Sequence, residues 1–223
     1  MALAYALVRS RRRTLALTID SAGALIARAP QRMPKREIEA FIEQKRDWIA
    51  RKQAQVLERA RQKPVYEWSQ GVSLPFWGGV LTARLADVPS PKVADGALLL
   101  PKAKPVHSSL AAWLRGQAPS LLGERVARQA QRMGLAPSSI GYCAARTRWG
   151  SMSGRGTLRL NLALLLCPPA VAEYVILHEL AHMRQPNHSP AFWGVVAQWM
   201  PGYEEKRAWL KQNSHLIGLL QKP

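Results

Sequence analysis

The sequence predicts an α+β protein in two parts. A basic amino-terminal region of short strands and a long helix covers residues 1–105, and a second domain over residues 106–223 holds a helical connector, a small sheet and further helices. Three observations carry this expectation. Apolar residues alternate along the early chain and then recur at three- and four-residue steps beyond Pro34, the periods of strand and helix. Pro and Gly crowd residues 64–105 around short apolar runs, which suits small strands joined by turns. Beyond residue 140, Gly-punctuated strand patterns give way to helical segments bounded by prolines.

The first 30 residues read as a hairpin. Leu15, Leu17 and Ile19 alternate with Ala16 and Thr18, Asp20 to Gly23 offers a turn, and Leu25-Ile26-Ala27 resumes the run. Pro34 then opens a helix whose apolar positions are Ile38, Phe41, Ile42, Trp48, Ile49 and Val56, with Lys35, Arg36, Glu39, Glu43, Lys45, Arg46 and Arg51 on its other face. The next helical pattern runs from about Ser108 to Met133. Pro119 should break or kink it, and Gly134 fits its C-terminal cap. Thr157 to Asn161 reads as a strand. Pro168-Pro169 starts a helix expected to reach about Arg184, before Gln185-Pro186. Ser189-Pro190 is a strong start for a helix to Met200, and a last helix covers Glu204 to about Asn213.

Composition narrows the function classes. The 223 residues are 48% hydrophobic, enough to build a core, so a wholly disordered chain is excluded. No run approaches the ~20 apolar residues of a membrane span. The apolar opening Met1 to Val8 precedes Arg9 and Arg11 to Arg13, the reverse of a signal peptide's order. Cys143 and Cys167 are too few for a disulfide framework, so a reducing, cytoplasmic home is expected. The net charge is +18, spread over both parts: 19 Lys/Arg against 9 Asp/Glu up to residue 105, then 13 against 5. Such a surface makes nucleic acid a candidate partner. A merely solvated basic face is the simpler reading, because no helix-turn-helix, zinc-finger or RNP pattern occurs.

The residues that carry chemistry are His178-Glu179-Leu180-Ala181-His182 and, six positions on, His188. Positions i and i+4 share one helix face, so His178 and His182 can offer two imidazoles to one ion. Glu179, about 100° around the helix, can reach a water on that ion without being a ligand. His188 falls just before a helix start, where the backbone is constrained, and is preferred as third ligand over Glu204 or Glu205. Three protein ligands with a fourth corner for water describe a catalytic Zn²⁺ site rather than a structural one. The competing reading is a buried helix whose histidines simply hydrogen-bond in the core.

Around this segment stand Thr147-Arg-Trp-Gly-Ser151, Leu160-Asn161, Tyr174 to His182, Asn187-His-Ser189, Phe192-Trp193 and Met200-Pro201. Together they resemble the YgjP-like metallopeptidases, relatives of the SprT and WLM metallopeptidases. The leading segments Arg9 to Arg13, Ile19-Asp20 to Gly23, Arg28-Ala-Pro30 and Asp47-Trp-Ile49 are similar to the same family's first region. One departure is Met152, where the family usually has a cysteine, so no cysteine ligand is available there.

The resemblance implies a zincin-like domain, a small sheet plus an active-site helix, with His178, His182 and His188 as zinc ligands and Glu179 as acid/base. It also implies a protein or peptide substrate, bound by strand addition to the segment Gly156 to Asn161. Arg148 is the candidate for an oxyanion-stabilising or supporting role, with a structural ion pair as the equal alternative. Tyr174 and Tyr203 are candidate transition-state donors. Trp149, Trp193, Trp199 and Trp209 are read as core packing. Hydrolysis of a nucleoside triphosphate, attached to some YgjP-like proteins, is the competing activity. Against it, only five carboxylates lie beyond residue 105 and no phosphate-cradling Gly-Lys-Ser/Thr loop is present. A SprT-like DNA-associated protease, or a nucleic-acid-binding protein whose zinc only holds its fold, is the other alternative.

Overall fold

A computed structural model describes residues 3–20, 22–61, 66–69 and 71–222. The chain divides into two compact units, Met1–Val65 and Tyr66–Pro223. The boundary thus falls well before residue 105. The strands of the Pro- and Gly-rich stretch bury Leu74, Ala83, Leu98 and Leu100 in the same core as the helices that follow.

The first unit contains strands β1 (Ala6–Ser10), β2 (Ala16–Ile19) and β3 (Leu25–Pro30), in the order β1-β3-β2. The expected hairpin is the antiparallel β2–β3 pair, while β1 adds in parallel to the other edge of β3. Asp20 shapes the turn, its carboxylate accepting from the Ala22 and Ala24 amides at 2.9 and 2.8 Å. Gly23 supplies the left-handed backbone there (φ +86°). Leu25, Ala27 and Ala29 point alternately into a small core with Ile38, Ile42 and Ile49.

Those isoleucines come from α1 (Lys35–Gln44) and α2 (Arg46–Arg61), not from one long helix. Lys45 interrupts it at φ −101°, ψ 13°, its amide shared between the Phe41 and Ile42 carbonyls. Ile38, Ile42 and Ile49 reach one core across the interruption, so the apolar spacing does not reveal it.

The second unit begins with β4 (Val72–Phe76), β5 (Gly79–Ala86), β6 (Lys92–Ala94) and β7 (Ala97–Pro101), ordered β4-β5-β7-β6. Helix α3 (Val106–Ala118) then widens into a π turn over Pro119–Gly123 and continues as α4 (Glu124–Met133). Proline has no amide to donate and its ring crowds the preceding turn, so the continuous helix opens at this point. Gly134, at φ +62°, closes α4 as expected.

The sheet nearest the chemistry holds β8 (Ser139–Cys143), β9 (Gly150–Met152) and β10 (Thr157–Asn161), in the order β8-β10-β9. The order corrects one expectation. The segment Gly156 to Asn161 is central, paired with β8 in parallel and β9 antiparallel, and has no free edge for a peptide. The outer strands of this sheet are β8 and β9. A 3₁₀ turn over Leu162–Leu166 leads to α5 (Pro169–Ala181), followed by α6 (Pro190–Trp199), α7 (Tyr203–Gln212) and α8 (His215–Gly218).

Both cysteines are free, and Cys167 is buried. Among the described residues no helix is long and apolar enough to cross a membrane.

Candidate metal centre

Helix α5 is buried on nearly every side: Val171, Ala172, Val175, Ile176, Leu177, Leu180 and Ala181 all lie in the core. A helix held this way fixes the direction of any polar side chain it carries. It ends at Ala181, three residues earlier than the sequence suggests, because the chain tightens there. The amides of His182, Met183 and Arg184 each bond three residues back. Arg184 donates to the Met133 carbonyl at the end of α4, tying the turn to that helix. His182 therefore sits at the helix cap, and its Nδ1–H donates to the Gln185 carbonyl at 3.2 Å, which leaves Nε2 free.

The chain then returns to α6. The Ser189 hydroxyl caps it through the Phe192 amide at 3.4 Å. His188 is thereby held across from α5, with its Nε2 3.0 Å from His178 Nε2. One nitrogen from each of His178, His182 and His188 lies within 4.8 Å of the others. Two imidazole nitrogens on one tetrahedral zinc stand about 3.4 Å apart, so the donor set fits such an ion with small adjustments. Glu204 and Glu205, the rival third ligands, are exposed on α7 and are not in this cluster.

Phe192, fully buried, is the floor beneath all three rings, at 4.9, 4.5 and 4.8 Å from His178, His182 and His188. Trp193 stacks on His188, and Tyr203 stacks on Trp193 at 5.3 Å. Burial, with the neighbouring imidazoles and Arg207 adding to it, drives the His178 pKa down to about 3. His182 is shifted the same way, mainly by burial. Neutral imidazoles are the ligand form, so the site is poised to bind a cation at neutral pH.

Glu179 is 7% exposed. Burial pushes its carboxyl up to about 7, against the Met152 amide, which bonds it, and the nearby Arg148 charge. Gly150 passes so close that a Cβ there would lie 2.8 Å from Glu179 Cγ and Oε1. Gly150→Ala is therefore expected to displace the carboxylate. It should cut hydrolysis at least tenfold while leaving metal content unchanged, as read from turnover beside elemental analysis.

Arg148 is exposed on the loop before β9, close enough for its charge to be felt at Glu179. Asn161 fixes that loop. It is fully buried, its amide donates to the carbonyls of Ala145 and Arg148 at 2.9 and 2.8 Å, and its oxygen accepts from the Ala163 amide at 3.0 Å. Asn161→Ala would leave three buried or half-buried backbone groups without partners, an expected loss of about 2–4 kcal/mol in a denaturant melt.

Gly150, Asn161 and Phe192 stand in segments that the sequence singles out, but their roles depend on contacts between distant segments. Tyr174 and Tyr203 are both buried, and burial pushes Tyr174 up to about 12. The four tryptophans expected in packing are partly buried against the core.

Residues 13–213 match the family described as YgjP-like, metallopeptidase domain. No curated protein matches the chain. Among solved structures, the metallopeptidase zymogen of Pyrococcus abyssi abylysin is 22% identical with a TM-score of 0.38, over 41% of this chain and 92% of that one. The metallopeptidase zymogen of Methanocaldococcus jannaschii jannalysin gives the same identity, TM-score and share of this chain, over 95% of its own length. A match across residues 13–213 spans nearly the whole sequence, and the chain belongs to the YgjP-like metallopeptidase family.

Proposed function

We propose that this protein is a zinc-dependent metallopeptidase in which His178, His182 and His188 hold the ion and Glu179 is the general base and acid. The observation that supports it most is the convergence of three imidazoles beside a buried carboxylate with a raised pKa. When bound, zinc acidifies water and polarises a carbonyl.

Glu179 takes the proton from the attacking water and later returns it to the leaving amine. Burial brings its pKa close to working pH, and the Met152 amide holds the carboxylate in one orientation. Arg148 stabilises the negative charge that develops on the substrate oxygen. Phe192 keeps the three rings in register and excludes water from beneath them.

An extended peptide is expected to pair with β9. Trp149 and Ser153 share backbone hydrogen bonds with β10. The intervening alternation turns the backbone groups of Gly150 and Met152 toward the open edge. One of these, the Met152 amide, is used by Glu179.

The test is a paired assay of the purified protein on a casein-like protein and on nucleoside triphosphates, each with wild type and Glu179→Gln. Proteolysis by wild type alone is expected. Turnover of triphosphate only would overturn the substrate class.

A further inference from the structure

Behind α5, on the side away from the histidines, lies a second polar cluster that the hydrolytic site does not use. Arg125, Arg128, Gln129 and Arg132 follow one another at i, i+3, i+4 and i+7 along α4 and so share one face. Between α4 and α5 they line a groove of about 90 Å³ whose other wall is Glu173 and Ile176. At 100° per residue, Glu173 and Ile176 lie roughly 140° and 200° around α5 from His178, so this groove opens on the far side of the helix.

The charges in the groove do not balance. Glu173 is its one carboxylate and is paired with Arg125 at 3.1 Å. Arg125 is further fixed by the Leu121 carbonyl and by the Trp77 ring at 4.5 Å. Arg128 is exposed and forms no ion pair among the described residues, and neither does Arg132. Arg132 donates to Gln129 Oε1 at 3.0 Å, which sets the amide's orientation. Gln129 Nε2 is then a buried donor with no protein partner. Trp199, whose ring lies 5.9 Å from the Arg132 guanidinium, has a second buried N–H without one.

A buried donor without an acceptor is costly, and native proteins rarely leave one unexplained. Here a buried amide donor and three guanidinium groups line one groove whose single carboxylate is already engaged by Arg125. The missing complement is an anion rich in acceptor oxygens. A phosphate group offers them in a tetrahedral arrangement that donors from several directions can meet, and arginine is suited to it. We propose that the α4–α5 groove is a phosphate-binding site, separate from the hydrolytic centre, that takes either the phosphodiester backbone of a nucleic acid or free phosphate. It would dock such a ligand while the cleft on the opposite side of α5 stays open.

The test compares wild type, Arg128→Gln/Arg132→Gln and a control, Arg36→Gln/Arg51→Gln, which removes two exposed charges from the first unit. Binding of a short labelled DNA duplex is read by anisotropy over a salt series. Binding of inorganic phosphate is read from the Gln129 side-chain amide by NMR. The groove variant should bind duplex at least tenfold more weakly and lose about two from the slope of log affinity against log salt, with its thermal melt and peptide hydrolysis unchanged. The control should lose much less.

A Gln129 shift with phosphate in wild type, absent in the groove variant, supports the site for free phosphate. Duplex binding through the groove without a phosphate response assigns it to the nucleic-acid backbone. Equal losses in groove and control variants, no binding of either probe, or equally tight groove-dependent binding of polyglutamate would overturn the proposal.

Discussion

Glu179→Gln is expected to abolish peptide hydrolysis, by about a thousandfold or more, while zinc content stays at the wild-type level. The substitution keeps the side chain's shape and an oxygen for the Met152 amide, and removes only the group that carries the proton. It should also change how stability depends on pH, because the carboxyl is buried. In the folded, metal-free protein the Glu179 carboxyl is raised from 4.5 to about 7. A raised carboxyl pKa means that the folded state holds the proton more tightly than the unfolded chain. Its contribution is full below pH 4.5 and is lost as pH climbs through 7.

Metal-free Glu179→Gln should therefore be more stable than metal-free wild type by up to about 3 kcal/mol at pH 8, with the difference vanishing at pH 4. Urea melts at the two pH values measure this. A bound cation favours the carboxylate, so the acid limb of kcat/KM in the zinc-loaded enzyme should lie between 4.5 and 7. An acid limb above 7 would mean that another group limits the rate.

His178→Ala should weaken zinc binding at least a hundredfold and take hydrolysis with it, since two imidazoles remain where three are needed. Its stability signature runs opposite to that of Glu179. Burial lowers the His178 pKa from 6.5 to about 3, so the folded state resists protonation and metal-free wild type loses stability as pH falls through that window. Metal-free His178→Ala should lose less over the same range. Zinc should raise the melting temperature of wild type, and a chelator should reverse the gain. The variant should gain far less at the same zinc concentration, because a ligand at free concentration L that binds only the folded state stabilises by RT ln(1 + L/Kd).

How much of this was legible in the sequence follows from how local each feature is. The hairpin around Asp20 and Gly23, the cap at Gly134 and the Ser189-Pro190 helix start depend on residues within a few positions, and all are present. The imidazole pair on α5 is local too, since four residues make just over one turn. Bringing His188 to that pair needs only the short return between two capped helices.

Features set by distant partners were not legible. β1 pairs in parallel with β3, and nothing in Ala6 to Ser10 announces that. β10 reads as an ordinary alternating strand whether central or at an edge, so the open edge at β9 emerges only from the sheet order. Gly150 looks like turn punctuation until Glu179 is seen packed against it. The arginines of α4 read as a solvated basic face until α5 supplies the other wall of the groove.

The central claim is that His178, His182 and His188 hold one ion beside Glu179. Elemental analysis of the purified protein and its variants tests it most directly. One zinc per chain in wild type and in Glu179→Gln, with little or none in His178→Ala and His188→Ala, is the predicted result. Metal-free wild type after exposure to zinc, or full zinc content in both histidine variants, would contradict it.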